Sequence, residues 1–490
     1  MDTFLNVLLS SLLVTASMPG YIYGGLVFFA LTPLFLSMEK KGPFLSAIIS
    51  FVYFFIFSLV NFNYIIDVLL KGLPELFGRF SPSMGMVVYL LFCFIEALPF
   101  LIFGFFYGLW IERIRFRFLK PIFVASLYVI AEYLRGIGDL AFTGGRLSDA
   151  LYNFGGLLQL LRFTGTLGLV FLIVVVNYEG YKLIRKNRWN LVAIFAIFSL
   201  IVTVNGIIES RLPNAVGTKP IVVIQTNVPQ KVKYDYSADV ILNYLKEHFS
   251  NTPNYLTVLP EAVFPGEDIR NSQIENQLLD LFRDRTFILG FPTIESANVY
   301  NSLVVYKNGK FFDKYDKVKL FPFVETLPYS NIFGKFDFLK GIYYFTPGIE
   351  KTVSINDYGK IGLMICFESF FPSLSRKISA NSELLIVATN DGWYSSKIAL
   401  KQHFVQTIFR AIENNRFVVQ VSNTGLSGVS DPYGHFSLLP YGSNWKVLYF
   451  TPINSITFYA KYGDWFFLLS LMIVLISSIT LKKRSNSLFD

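Results

Sequence analysis

The run GLMICFE, residues 362–368, places one cysteine, Cys366, directly after an apolar stretch typical of a buried β-strand. Two upstream runs end in other reactive side chains: LPE ends in Glu261, and YDK ends in Lys317. A thiol needs a base that takes its proton, and the tetrahedral intermediate needs a donor for its oxyanion. A carboxylate, an amine and a thiol, each predicted at a strand end, therefore indicate covalent acyl chemistry.

The sequence around these residues, about 210–460, alternates between strand-like and helix-like patterns. Predicted strands lie at 220–225, 255–259, 286–291, 302–306, 360–366, 383–389 and 416–422. Because these runs are β-branched and apolar and helical patterns separate several of them, we predict sheet structure covered by helices.

The rest of the chain is too apolar for a soluble protein. Of its 490 residues, 53% are hydrophobic and only 16% are charged. A membrane-spanning helix needs about 20 mostly apolar residues. We predict eight spans near 4–18, 22–38, 44–64, 86–110, 118–135, 164–182, 190–206 and 464–481. The domains are then a transmembrane domain at 1–209 with about seven spans, a catalytic domain at 210–460, and a final helix and tail at 461–490.

Basic residues predict the orientation, because cytoplasmic loops are rich in Lys and Arg. They cluster at Lys40 and Lys41, at Arg113, Arg115, Arg117 and Lys120, at Lys182, Arg185, Lys186 and Arg188, and at Lys482, Lys483 and Arg484. Each cluster follows an even-numbered span. Both termini are therefore expected in the cytoplasm, with the catalytic domain on the outer side.

The net charge of +9 comes largely from these loops. An anionic membrane surface explains it, and we expect no nucleic-acid partner. The chain has two cysteines, Cys93 within a predicted span and Cys366 in the outer domain, so no disulfide framework is expected there.

Several runs together resemble the nitrilase superfamily and, within it, the apolipoprotein N-acyltransferases. They are PE at 260–261, YDKVKLFPFVE at 315–325, ICFE at 365–368, TNDGW at 389–393, NTG at 423–425, DPYG at 431–434 and, in the membrane part, EYLRG at 132–136. The resemblance covers essentially the whole chain. It implies a multi-pass α-helical membrane domain joined to an α/β nitrilase-like domain, an αββα sandwich.

The resemblance implies a catalytic set of Glu261, Lys317 and Cys366. Glu325 and Glu368 are expected to support it by orienting Lys317 or Glu261, although a carboxylate at a helix start is the ordinary interpretation of Glu368. A backbone N–H near Phe367 is expected to stabilise the oxyanion together with Lys317. Phe367 stands where the family commonly has Tyr. None of the three histidines is predicted to act as the base.

Other residues are candidates for substrate contact. Tyr234, near where the family commonly has Trp, is expected to support stacking or lipid contact, and Trp393 is expected to bind substrate. Arg146 is a candidate for phosphate contact, with internal pairing as the alternative. Glu132 and Arg135 are three residues apart, so they can pair on one helix face. Residues 326–347 are expected to form a mobile aromatic arm at the membrane interface; the alternative is a covered loop.

The resemblance implies transfer of an acyl chain from a phospholipid, through a thioester on Cys366, to the α-amine of a diacylglyceryl-modified apolipoprotein. It places the protein in the bacterial inner membrane. No metal or organic cofactor is required, and we expect a monomer. The alternatives are a membrane-tethered amidase or nitrilase, and a transporter or signalling protein with an inactive sensor domain.

Overall fold

The computed structural model describes residues 3–78, 81–186, 191–235, 237–283, 285–336, 344–355, 357–440 and 443–479. The chain forms two compact units. The first consists of Met1–Ile66, Met84–Leu212 and Tyr462–Asp490, and the second of Asp67–Ser83 and Pro213–Lys461. The predicted division at 209/210 and 460/461 did not anticipate that the segment 67–83 packs with the second unit. The predicted cytoplasmic tail lies outside the described residues.

The first unit is helical. Its helices are α1 Thr3–Ser17, α2 Val27–Ala30, α3 Thr32–Met38, α4 Pro43–Asn61, α7 Pro82–Trp110, α8 Leu119–Leu134, α9 Gly155–Leu158, α10 Leu161–Lys186, α11 Leu191–Glu209 and α19 Trp465–Ile479. Short helices α5 Ile65–Asp67 and α18 Phe458–Tyr462 lie at the joins between the units. Among the described residues, α4, α7 and α10 are long and apolar enough to cross a membrane.

Four shorter apolar stretches, Thr3–Ser17, Gly24–Met38, Phe195–Glu209 and Trp465–Ile479, coincide with four further predicted spans. The remaining predicted span, 118–135, coincides with α8. Helices this apolar are typical of a membrane protein.

Charged side chains inside this unit are paired. Arg135 donates to Glu96 Oε2 at 2.7 Å and to Glu132 Oε2 at 2.7 Å, which confirms the predicted pairing of Glu132 with Arg135. Arg146 is buried beside them, with its Nε 3.7 Å from Glu132 Oε2 and its Nη1 donating to Thr166. Internal pairing of Arg146, the alternative named from the sequence, is what the structure contains, and phosphate contact stays a prediction.

The second unit contains two six-stranded sheets. Its strands are β1 Lys219–Ile224, β2 Leu256–Val258, β3 Phe287–Glu295, β4 Asn298–Lys307, β5 Lys310–Asp316, β6 Thr352–Ile355, β7 Gly359–Ile365, β8 Leu384–Thr389, β9 Phe417–Ser422, β10 Gly428–Ser430, β11 Phe436–Leu438 and β12 Trp445–Phe450. The strand orders are β12-β1-β2-β3-β4-β5 and β11-β10-β9-β8-β7-β6. All seven predicted strands are present. The more polar or shorter strands β5, β6 and β10–β12 were not predicted.

The sheets are central layers between helices. The helices of the second unit are α6 Leu73–Phe77, α12 Gln230–Asp235, α13 Ala238–Phe249, α14 Gln273–Leu281, α15 Ser330–Phe333, α16 Pro372–Ser379 and α17 Lys397–Asn414. The strand pairs β1/β9 and β4/β7 are in contact across the two sheets. Helices α13 and α14 pack on the first sheet, and α16 and α17 on the second. This αββα arrangement confirms the predicted fold class.

The centre of each sheet is parallel: β1, β2 and β3 in one, β7, β8 and β9 in the other. Residues 384–389 of β8 read LLIVAT and are all buried, because helices and the partner sheet cover both faces. Strands β2, β5, β7 and β8 end in loops that carry Glu261, Lys317, Cys366 and Asn390. The fold therefore brings together groups that are far apart in sequence.

Candidate active site

Cys366 is the first residue after β7 and opens a short 3₁₀ turn, Cys366–Phe370. Its φ is +50°, in the left-handed region that residues with a Cβ rarely adopt. Such a conformation costs on the order of 1–3 kcal/mol and persists where the surroundings enforce it. Cys366 is half-buried and lines a cavity. The strained turn thus presents this residue to the cavity.

Glu261 is buried in the turn after β2. Its Oε1 accepts from Asn301 Nδ2 at 2.8 Å, and its Oε2 accepts from the backbone N–H of Asn390 at 2.9 Å. Gly290 on β3 makes this position possible: a Cβ there would lie 2.5 Å from the nitrogen of Ala262 and 2.7 Å from the Cα of Glu261. Only glycine lets β3 approach the turn so closely.

Lys317 follows β5 and is also buried. Its Nζ lies 2.8 Å from Glu325 Oε2 and 3.4 Å from Glu261 Oε1. Burial disfavours the ammonium form, but the charges of Glu261 and Glu325 outweigh it and raise the pKa of Lys317 above its ordinary value. Asn301 on β4 donates to Glu325 Oε1 at 2.8 Å as well as to Glu261, so its amide fixes both carboxylates.

Glu368 is fully buried and does not contact the side chain of Lys317. Its carboxylate accepts from the backbone N–H groups of Val318 at 2.6 Å, Lys319 at 3.0 Å and Ile365 at 2.7 Å, and from the hydroxyl of Tyr315. Burial raises the pKa of Glu368 to about 7. Glu368 therefore ties the loop that carries Lys317 to the strand end that carries Cys366. The predicted role of Glu368 in orienting Lys317 or Glu261 stays a prediction.

These residues line a cavity of about 370 Å³, within the usual range for ligand sites. Its polar lining consists of Glu261, Asn301, Lys317, Glu325, Cys366 and Asn390. Its apolar and aromatic lining includes Val68, Leu73, Tyr234, Pro265, Pro292, Val299, Phe321, Val324, Tyr344, Phe345, Phe367, Trp393 and Tyr394. The cavity thus has a cluster of polar, reactive side chains and an otherwise largely apolar wall.

Two of the three residues predicted to contact substrate line this cavity. Tyr234 and Trp393 both line it, with ring centroids 5.7 Å apart. Phe367 lines it too and packs against Phe321 at 4.8 Å. Arg146 belongs to the first unit, whereas every residue that lines this cavity belongs to the second.

The predicted arm at 326–347 is described only at 326–336 and 344–347. Tyr344 and Phe345 line the cavity, and Tyr329, Ile332 and Phe336 are exposed. The central part of the predicted arm lies outside the described residues.

The segment 67–83 was not predicted to take part in the site. Val68 and Leu73 line the cavity, and Asp67 Oδ2 accepts a hydrogen bond from Ser395 Oγ at 2.8 Å. A Cβ on Gly72 would contact the ring of Trp393 at 3.4 Å. No sequence pattern indicated this contact, because the segment was assigned to the linker between two predicted spans.

The surroundings of the Cys366 thiol favour its protonated form. Burial raises the pKa of Cys366 well above its ordinary value, and the charge of Glu261 raises it further, while Lys317 and a hydrogen bond from Thr389 act in the opposite direction. A neutral thiol is a weak nucleophile. Attack by this thiol therefore needs a nearby base, and the carboxylate of Glu261, which lines the same cavity, is the candidate.

None of the histidines was given a role from the sequence, but the structure brings His403 close to Cys366. His403 is buried on α17, with Nδ1 2.7 Å from Asp391 Oδ1 and Nε2 3.2 Å from the carbonyl oxygen of Cys366. Asn301 and Asn390 were missed in the same way. One signal was available for His403: it lies between the predicted strands 383–389 and 416–422, where a covering helix would bury it and a buried polar residue needs a partner.

A ligand atom each of Cys366, Asp391 and His403 lies within 4.8 Å of the other two, close enough for a metal ion. Both ring nitrogens of His403 already have hydrogen-bond partners, and Asp391 also accepts from Thr389 Oγ1 and Ser422 Oγ. Hydrogen bonds within the protein therefore explain why Asp391 and His403 lie together beside Cys366.

Both units of the chain match known family models. Residues 223–439 match the family model for carbon-nitrogen hydrolase, and residues 10–178 match that for the apolipoprotein N-acyltransferase N-terminal domain. Among solved structures, Saccharomyces cerevisiae Nit3 of the nitrilase superfamily is similar at 21% identity and TM-score 0.35, over 48% of this chain and 93% of that one.

Similar curated proteins include the apolipoprotein N-acyltransferases of Thermotoga maritima, 42% identical over 99% of this chain and 94% of that protein, and of Aquifex aeolicus, 32% identical over 71% and 79%. Because the first similarity extends over nearly the full length of both chains and includes both domains, this chain belongs to the apolipoprotein N-acyltransferase family.

Proposed function

We propose that this protein transfers an acyl chain from a phospholipid to the α-amine of the N-terminal, diacylglyceryl-modified cysteine of apolipoproteins, with Cys366 as the acyl carrier. The observation that carries the proposal is the grouping of Cys366, Glu261 and Lys317 in one cavity with an apolar wall. An acyl ester needs this combination, because its carbonyl group requires polar groups and its chain requires apolar ones.

In the first half-reaction Glu261 accepts the proton of the Cys366 thiol as the sulfur attacks the ester carbonyl carbon. A C–S bond forms and the carbonyl π electrons move to oxygen. When the intermediate collapses, the C–O ester bond breaks and Glu261 gives the proton to the departing alkoxide. The products are a lysophospholipid and a thioester on Cys366.

In the second half-reaction the α-amine attacks the thioester carbonyl carbon and Glu261 takes one amine proton. A C–N bond forms, the C–S bond breaks, and the proton returns to the sulfur. The acylated apolipoprotein leaves as an amide and the thiol is restored. Glu261 thus returns every proton that it takes, so no further acid or base is needed. A buried carboxylate held by hydrogen-bond donors is suited to this role.

Lys317 is assigned to the oxyanion in both halves. Its ammonium is buried and keeps its charge, and a fixed charge in a water-poor site stabilises a developing oxyanion more than the same charge in water. Glu325 and Asn301 fix its position, and a backbone N–H near Phe367 is proposed as the second donor.

The membrane setting completes the proposal. The apolar helices would hold the cavity at a bilayer, so that a lipid ester meets the thiol as a local rather than a bulk reactant. Tyr234, Trp393, Val68 and Leu73 are proposed to contact the acyl chain. We place the protein in the bacterial inner membrane as a monomer, with the catalytic unit outside and both termini in the cytoplasm. Arg146 is retained as a candidate for phosphate contact.

Incubation with phospholipid alone tests the proposal. Intact-protein and peptide mass spectrometry should find an acyl adduct on Cys366, released by hydroxylamine, and no adduct in Cys366→Ala. Adding a diacylglyceryl lipopeptide should then discharge the adduct onto the peptide amine. Release of free fatty acid with no lipopeptide acylation would instead identify a hydrolase. Full transfer by Cys366→Ala would remove Cys366 from the mechanism.

A further inference from the structure

A closed set of hydrogen bonds lies behind Cys366, outside the group formed by Glu261 and Lys317. His403 Nε2 lies 3.2 Å from the carbonyl oxygen of Cys366 and 3.0 Å from Ser369 Oγ. Ser369 Oγ itself donates to the same carbonyl oxygen at 3.0 Å. Two side chains thus converge on the main chain of the residue that carries the thiol.

The partners of His403 identify its protonation state. Nδ1 faces the carboxylate of Asp391, and Nε2 faces a carbonyl oxygen; both are acceptors. Nε2 also faces the Ser369 hydroxyl. When that hydroxyl donates its proton to the Cys366 carbonyl oxygen, both neighbours of Nε2 are acceptors, and the ring that donates from both nitrogens is an imidazolium ion. Asp391 is held in place by Thr389 Oγ1 at 2.8 Å and Ser422 Oγ at 3.2 Å. Burial opposes the charge, but Asp391 raises the pKa of His403 above its ordinary value.

The ring is also fixed mechanically. It stacks on Phe370 with centroids 5.3 Å apart and an interplanar angle of 17°. Cys366, for its part, needs external support, because its φ of +50° is unfavourable for a residue with a Cβ. The hydrogen bonds to its carbonyl oxygen come from the turn itself, through Ser369, and from α17, through His403.

We propose that His403, held by Asp391, is a positioning residue for acyl transfer: its hydrogen bond to the Cys366 carbonyl keeps the nucleophile in its left-handed conformation, and its charge stabilises the thiolate. The charge of His403 can act on the thiolate because a ring nitrogen of His403 lies within 4.8 Å of the sulfur. The inference rests on the proposed role of Cys366 as the acyl carrier. It gives the nucleophile a second cation in addition to Lys317.

The test compares His403→Leu, which removes the donor, with His403→Gln, whose side-chain N–H can still reach the carbonyl oxygen. The rate of acyl-thioester formation with excess phospholipid should fall about 100-fold for Leu and clearly less for Gln. The KM for phospholipid should change little, because His403 does not line the cavity. A role in folding alone would not produce this graded loss in the rate at constant KM.

The titration of the thiol gives a second measurement. The rate of Cys366 alkylation by iodoacetamide, followed by peptide mass spectrometry, should require higher pH in His403→Leu than in the wild type. The other groups whose charge acts on this thiol are Glu261, Lys317 and Asp391, and none of them is changed. Loss of a neighbouring cation therefore accounts for an upward shift.

His435→Leu is the matched control. His435 pairs with Asp431 through Nδ1 at 3.0 Å, as His403 pairs with Asp391, but it is a half-exposed residue remote in sequence from the site loops. Its variant should keep the wild-type rate. The inference is overturned if folded His403→Gln and His403→Leu acylate at the wild-type rate, or if the two are equally slow with an unchanged thiol titration. Full transfer by Cys366→Ala would instead overturn the proposed function beneath it.

Discussion

The ammonium nitrogen of Lys317 lies 2.8 Å from Oε2 of Glu325 and 2.9 Å from its Oε1, so both oxygens of one carboxylate hold the cation. The distance to Glu261 is longer, 3.4 Å. Glu325 thus makes the closer contacts with the ammonium group, while the charges of both carboxylates act on it.

Glu325→Gln should therefore lower activity without touching the nucleophile. Removing one partner of a buried ion pair leaves the other poorly compensated, and we expect a loss of about 10-fold or more in kcat/KM and a lower melting temperature. Glu350→Gln is the control, because Glu350 pairs with Lys377 at 2.8 Å on the surface. Equal behaviour of the two variants would contradict the assigned role of Glu325.

Glu261→Gln should abolish thioester formation and leave the fold intact. The amide keeps the shape of the side chain, but its single oxygen can accept from only one of the two donors, Asn301 Nδ2 and the backbone N–H of Asn390, and the amide cannot take the proton of the thiol. A loss of about 10²–10⁴-fold in the single-turnover rate is expected for a missing general base. Circular dichroism should match the wild type, whereas the melting temperature should fall, because one buried N–H group loses its acceptor. A variant that still forms the thioester at the normal rate would assign the base elsewhere.

Glu368 gives a pH dependence of stability. Its pKa in the folded protein is raised to about 7 by burial, so between its ordinary pKa and 7 the folded state binds more protons than the unfolded state. This contribution is fully present below the ordinary pKa and is lost as pH rises through 7. The melting temperature in detergent should fall across that window, and the fall should be smaller in Glu368→Gln, which cannot titrate.

Lys233 gives the stability of the fold a pH dependence of the opposite sign. It is buried beside Tyr234, its ammonium has no hydrogen-bond partner within the described part of the chain, and burial lowers its pKa to about 7. Between pH 7 and its ordinary pKa the unfolded state binds more protons, so the folded state gains stability as pH rises. Lys233→Met should raise the melting temperature more at pH 6 than at pH 9.5. The exposed neighbour Lys231, changed to Met, should show no such difference; identical pH profiles for both variants would contradict the buried charge.

Val68 offers a test of the cavity wall. Val68→Phe adds volume where the segment 67–83 meets the cavity, so phospholipids with longer acyl chains should lose more activity than those with shorter ones. Val240→Phe, at an exposed position on α13, is the control. A uniform loss over all chain lengths would mean that Val68 does not contact the acyl chain.

The sequence predicted those parts of the site that depend on local patterns. Strand β7 is a continuous apolar run, so the position of Cys366 at its end followed from periodicity. Strand β5, KFFDKYD, is too polar and irregular to be recognised, although Lys317 follows it. Asn301 sits inside a strand with nothing to distinguish it from its neighbours. His403 reaches the carbonyl of Cys366 across 37 positions of sequence, and only the packing of α17 on the second sheet brings them together.

The carboxylate of Glu368 joins the end of β7, in one sheet, to the loop after β5, in the other. The strand end of Cys366 and the loop of Lys317 are therefore braced to each other by one buried side chain. In the proposed cycle, room for each of the two lipidated substrates would then come from the periphery of the cavity. The exchange of a lysolipid for a lipoprotein would fall to the side walls.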